Sequence, residues 1–206
     1  MSALVDPRIE ALDKLKSEWS EFRKNPDLLL YSGYFKIVSP LTVDQEGVIH
    51  ENQVEEGSFM PPMIVPYRPN IGQKYLGLTR KKCQEYGIPV NIEVLKGRRV
   101  GATLDTQTRH LSKILTNSGV MQATVAQRDP TAKRLRDTVY NIHKNSYPIN
   151  VAVPLDIENA SELTFRAFDQ PFEMGSSGFF FTTASAAGIE KVRGMGAIFI
   201  HMSEVD

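Results

Sequence analysis

Cys83 is the one residue of this chain whose type could do covalent chemistry by itself. It follows Arg80, Lys81 and Lys82, and nearby cations lower the pKa of a thiol. A catalytic thiolate also needs an imidazole close in space, and His110 or His143 could supply one. Nothing in the spacing pairs either with Cys83, so the reading of Cys83 as a small buried hydrophobe stands beside the catalytic one. His50, His110, His143 and His201 fall on different elements. None has a second His, Cys or carboxylate at metal-ligand spacing on a helix face. Gly175-Ser176-Ser177-Gly178 lacks the spacing of a nucleophile elbow, and neither GxxxxGK[ST] nor GxGxxG occurs. No metal, no cofactor and no enzymatic activity are expected.

The charge pattern says more. The chain carries 24 Lys/Arg and 24 Asp/Glu, but they are segregated. Residues 74 to 144 hold 14 Lys/Arg against 5 Asp/Glu, a net of +9. Residues 1 to 73 come to −4 and residues 145 to 206 to −5. Such a basic middle can neutralise nucleic-acid phosphates, with Arg80, Lys81, Lys82, Lys96, Arg98, Arg99 and Arg136 as the contacts. Aromatic rings for base stacking are few there: Tyr75, Tyr86 and Tyr140. The same map lets the basic middle of one chain meet the acidic flank of an identical chain, head to tail.

These residues need elements to hold them. Val120 to Pro154 is the clearest stretch and reads as strand, helix, strand. Asp129 sits at the N-cap position and Pro130 at the first helical position, Leu135, Val139 and Ile142 form the apolar stripe, and Asn145 and Pro148 end the helix. Ile149 to Val153 reads as a strand buried on both faces, parallel to Val120–Ala126. An N-terminal amphipathic helix over residues 1–26 is capped by Asp6, started by Pro7 and faced by Ile9, Leu12, Leu15, Trp19 and Phe22. Leu28 to Ser39 reads as a strand.

Residues 59–73 contain Pro61, Pro62, Pro66 and Pro69, which favour an extended arm that cannot enter the middle of a sheet. Thr79 to Tyr86 reads as a short helix closed by Gly87. Val90–Leu95 and Arg98–Leu104 read as a hairpin across Lys96-Gly97, and Asp105 as the cap of a helix faced by Leu111, Ile114 and Leu115. Leu163–Phe168, Phe179–Thr183 and Gly196–Met202 read as strands, while residues 184–195 remain unassigned. The sum is a single α+β domain with a mixed sheet, the N-terminal helix and the arm being appendages.

With one cysteine, a disulfide framework is excluded and a reducing, cytoplasmic setting is expected. No membrane span and no secretory leader are visible. The function expected first is a non-catalytic structural subunit that self-associates, of the kind that builds virion shells, necks or tails. Met63, Ile64 and Tyr67 of the arm would be the anchors, and Lys133 and Arg134 the orienting charges. A sequence-tolerant nucleic-acid-binding protein is the alternative, and a small enzyme built on Cys83 the second.

Overall fold

The structure is a computed structural model, and it describes residues 6–38, 41–43, 49–51, 64–94, 101–166, 168 and 176–203. Met63, Lys96, Arg98, Arg99 and the glycine–serine turn up to Gly175 lie outside these residues, as does most of the acidic loop before the arm.

The N-terminal half is built from helices α1 (Pro7–Lys24) and α2 (Pro26–Tyr31), short strands β1 (Lys36–Val38), β2 (Leu41–Val43), β3 (Ile49–Glu51) and β4 (Ile64–Pro66), and helix α3 (Ile71–Glu85). Strands β1 and β4 form one antiparallel pair, β2 and β3 another. Helix α4 (Ala102–Thr116) then leads into β5 (Met121–Ala126), α5 (Asp129–Asn145), α6 (Ile149–Ala152), β6 (Leu155–Glu158), β7 (Glu162–Phe165), β8 (Ser177–Thr183), α7 (Ala186–Gly194) and β9 (Phe199–Ser203). Among the described residues these last strands make a mixed five-stranded sheet in the order β6-β7-β8-β5-β9. Strands β8, β5 and β9 are parallel, while β6 and β7 continue antiparallel from β8.

Each face of the sheet has its own cover. Ala126, Leu163, Phe165, Phe179 and Phe181 pack with α1, α2, α4 and α5 in the main core. Ala123 and Val125, on the opposite side of the pleat, pack with Val192 of α7 and with Phe180. Alternation along β8 thus splits the aromatic run, with Phe179 and Phe181 on the α5 side and Phe180 on the α7 side. This is an α+β architecture in which α5 and α7 lie on opposite faces of the parallel strands.

Several elements match their sequence signals. The Asp6 side chain accepts from the Arg8 N–H and Pro7 starts α1, whose Leu15, Trp19 and Phe22 are buried. That helix packs on its own chain. Leu135, Val139 and Ile142 bury the stripe of α5. Gly87, at φ 64, closes α3 in the left-handed conformation, and the Ile88 N–H reaches the Cys83 carbonyl, which is the Schellman bonding pattern.

Other expectations are corrected. Ile149–Val153 is not a strand: α6 is a helical turn, in which Ile149 and Val153 are buried and Val151 is exposed. Residues four apart share a helical face, whereas a strand would have buried Val151 with them. The parallel neighbour of β5 is therefore β8. The strand expected over 28–39 is α2 followed by β1. Asn25 caps α2, its side chain accepting from the Asp27 N–H, and Pro26 opens this helix rather than only closing α1. Helix α3 begins at Ile71 inside the supposed arm, because Asn70 and Gln73 form a reciprocal capping box. Residues 102–104 are helical, so the hairpin's second strand is absent there, and Asp105 lies within α4 rather than capping it. Residues 184–195 supply α7, capped by Ser185.

Candidate functional site

Helix α4 is the centre of the molecule, and its first turns are held by a buried ionic network. Asp105 is fully buried. Its carboxylate accepts from the Tyr67 hydroxyl at 2.7 Å, from Arg109 Nε at 2.9 Å and from Arg80 Nη1 at 3.2 Å. Arg80 also donates to Thr106 Oγ1 at 2.8 Å, and Arg109 to the Tyr31 hydroxyl at 3.0 Å. Asp105 and Arg109 stand four apart on one helix face. Arg80 comes from α3, Tyr31 from α2, and Tyr67 from the segment after β4, which is anchored by its N–H on the Phe35 carbonyl. The Asp105 carboxylate and the Arg109 guanidinium thus together tie four segments.

Protonation follows from this packing. Burial pushes the Tyr67 hydroxyl well above its ordinary pKa, and the neighbouring Asp105 charge adds to the rise. Burial opposes the charged form of Arg109, but its bond to Asp105 outweighs that and leaves the guanidinium more firmly protonated than usual. Arg80 is lowered, by burial and by repulsion from Arg109, against the attraction of Asp105.

The start of α4 is built with equal care. Gly101, at φ 76, occupies the N-cap position, and α4 has no side-chain cap. The Gln73 side chain donates to the Gly101 carbonyl at 2.8 Å. A Cβ on Gly101 would lie 2.6 Å from Gln73 Nε2, so both the conformation and the contact call for glycine. Among the described residues, no cap side chain accepts from the first-turn amides of α4.

The direction of α4 fixes where those amides lie. His110 stacks on Phe199, 4.8 Å between centroids, at the level where Gln122 pairs with Phe199. One turn earlier, Gln107 donates to Thr124 Oγ1 at 3.1 Å. The N-terminus of α4 therefore projects toward the carboxyl end of β5. The α5 N-terminus lies there too and likewise has no side-chain cap. The loop after β5 runs to α5 on one face, and the loop after β8 runs to α7 on the other. Adjacent parallel strands whose connections leave for opposite faces open a crevice at their carboxyl ends. Gln127 and Arg128 border it from β5, Thr183 and Ser185 from β8.

The residues singled out in the sequence are scattered over this framework. Arg80 is spent on Asp105. Arg136 is bound to Glu158 and Asp137 at 3.0 and 2.9 Å, Lys133 to Asp129 at 2.9 Å, and Lys81 lies 3.8 Å from Glu85. Lys82 and Arg134 are exposed, on α3 and α5 respectively, two helices that each pack on α4. Of the proposed anchors, Ile64 is exposed and Tyr67 is buried. Cys83 is half-buried on the inner side of α3. His143 is buried, 2.8 Å from the Val153 carbonyl and edge-on to Phe165. Both candidate imidazoles are thus engaged by partners other than the thiol. Among the described residues no group of three metal-ligating side chains occurs.

The sequence reading missed the network around Asp105. The signals were the Asp105/Arg109 spacing and the Asn70/Gln73 capping box. Tyr67 and Arg80 gave none, because their roles depend on tertiary contacts.

No protein-family model matches this chain, and no curated protein matches it by sequence. Among solved structures, it is similar to the ATPase domain of the large terminase of Thermus phage P74-26, at 14% identity and a TM-score of 0.43. The match covers 66% of this chain and 58% of that one.

Proposed function

We propose that the protein binds the phosphate groups of a nucleotide-type ligand in the crevice at the carboxyl ends of β5 and β8. The observation that carries this reading is the topology: parallel neighbours β5 and β8 continue into helices on opposite faces of the sheet. In open parallel sheets that is where ligands bind. The uncapped N-termini of α4 and α5 support it. The α4 start offers amide donors and the positive end of a helix dipole, which favour an anion; at the α5 start Pro130 has no N–H, the Thr131 amide donates to the Arg128 carbonyl and Asp129 adds a carboxylate, so that end contributes its dipole alone. The ionic network behind the α4 start would hold that helix in place when the ligand arrives.

Two earlier readings draw less support. Self-association through the arm counted on Tyr67, whose side chain is committed to Asp105. Nucleic-acid binding over 74–144 counted Arg80 and Arg136 among its contacts, and both lie beside carboxylates of their own chain.

Calorimetric titration with ATP, tripolyphosphate and adenosine tests the proposal. ATP and tripolyphosphate should bind, and adenosine should not. Thr103→Glu places a carboxylate in the first turn of α4, where the dipole favours it, so the fold should be kept. It should weaken both phosphate ligands by about tenfold or more through charge repulsion, about 1.4 kcal/mol. Absence of binding in the millimolar range, or equal binding by the variant, would refute the reading.

A further inference from the structure

Helix α3 is inside-out. Its inner stripe is Gln73, Gly77 and Arg80, and these meet α4 through the Gly101 carbonyl, the Arg109 guanidinium and the Asp105 carboxylate. Its outer stripe is Ile71, Tyr75 and Leu78, exposed by 89%, 72% and 59%. Tyr86 and Ile88 extend the apolar surface past the helix end, at 76% and 55%. A surface helix ordinarily turns its apolar stripe inward. Here the polar residues are consumed by α4, and large apolar side chains face out along one stripe.

We propose that this face of α3 docks an amphipathic helix of a partner protein whose apolar stripe is flanked by carboxylates. The charge beside the stripe argues for that occupant. Lys74 and Lys82 are exposed along it, as is Lys81, which lies 3.8 Å from Glu85, the one acidic residue among them. The same lysines argue against a symmetric pairing of two copies through α3, which would bring like charges together. Nucleic acid would use the lysines and stack on Tyr75 or Tyr86, but it would leave the aliphatic Ile71 and Leu78 uncovered. A helix docked along α3 covers them, with anchors at three- and four-residue steps. Desolvation of the apolar centre would supply most of the affinity, and the lysines would set orientation and rate. This inference stands apart from the phosphate crevice and does not depend on it.

The experiment uses the full chain and three fluorescent probes followed by anisotropy. One is a synthetic helical peptide with a leucine stripe flanked by glutamates. The second carries lysines in place of those glutamates, and the third is oligodeoxythymidine. The glutamate peptide should bind, and more weakly as salt rises. The lysine peptide should bind at least about tenfold more weakly. The double variant Tyr75→Ser with Leu78→Ser should lose at least about tenfold in affinity for the glutamate peptide. Its circular dichroism and melting temperature should match the wild type, since both side chains are exposed. Four results would each overturn the proposal: no peptide binding, equal affinity for both peptides, full affinity in the double variant, or oligonucleotide binding that the double variant abolishes. Self-association of the wild type that the same variant disrupts would also overturn it, by assigning the face to a second copy.

Discussion

Asp105 is the residue on which the described molecule most depends. Fully buried, it accepts from two guanidinium groups, of which Arg109 also lies 3.7 Å from Asp27, and from the Tyr67 hydroxyl. A buried ion pair adds little stability compared with apolar packing, but breaking one leaves a charge stranded. Asp105→Asn should therefore lower the unfolding free energy by about 3–5 kcal/mol in urea titrations. The pair variant Asp105→Leu with Arg109→Met should cost less than the sum of its singles, because each removes what the other would leave unpaired. A loss within about 0.5 kcal/mol for Asp105→Asn would mean that solvent reaches the network. His110 makes a prediction about pH. Its Nδ1 is buried without a hydrogen-bond partner, and burial, with repulsion from Arg80, Lys113 and His201, lowers its pKa from 6.5 to about 3. Between those values the unfolded chain binds the extra proton, so stability falls as pH falls from 6.5 toward 3 and is unaffected by this group above 6.5. His143, also lowered by burial, acts with the same sign. His110→Phe should flatten the dependence of urea-unfolding stability on pH by up to about 1.4 kcal/mol per pH unit. An unchanged slope would rule the histidine out as its source.

At the scale of elements, the contact between α3 and α4 reverses an ordinary rule. Replacing a mid-helix glycine by alanine normally stabilises a helix by about 1 kcal/mol. Gly77 sits in the middle of α3, and a Cβ there would lie 2.5 Å from Arg109 Nη2 and 2.9 Å from its Cζ. The guanidinium cannot withdraw freely, since it is bonded to Asp105 and Tyr31. Gly77→Ala should therefore destabilise the protein, by about 1–3 kcal/mol, as overpacking does. A raised melting temperature would show that Arg109 has room to move. Gly188 in α7 carries the same lesson, because a Cβ there would collide with the Thr183 carbonyl. Small residues in these helices mark where another element comes close, and the helical pattern itself gives no sign of it.

Across the whole molecule, stability should follow the sheet order. Strands β5 and β8 are each paired on both sides and covered by the main core and by α7, whereas β6 and β9 each have one neighbour among the described strands. Hydrogen exchange should therefore be slowest at β5 and β8 and faster at β9, where Ile200 and Met202 are also exposed. If β9 amides exchange as slowly as those of β5, some further element protects that edge in solution. The candidate crevice lies at one end of the slowest strands, which suits a site that must hold its geometry. No helix among the described residues is long and apolar enough to cross a membrane.

What the sequence determined by itself is local. Asp6 with Pro7, the stripes of α1 and α5, Gly87 after α3, and the β5 and β8 runs were legible because caps, periodicity and turn conformation act over a few residues. The α+β class followed from their order. Short segments with mixed signals were not legible. Leu28 to Tyr31 and Ile149 to Val153 carry β-type or apolar residues, and packing against neighbouring elements settled their helical form. The charge map left partners open for a related reason: Arg80 and Arg136 meet carboxylates from distant segments, Asp105 and Glu158. Asp105 read as a cap because polar residues usually sit at helix starts, yet its environment is set by Tyr67, 38 residues earlier in the chain. The departure of the β5 and β8 connections to opposite faces and the inverted face of α3 arise only through strand order and helix contacts. Those are relations between distant segments, fixed by burial in three dimensions, and the linear pattern carries no direct record of them.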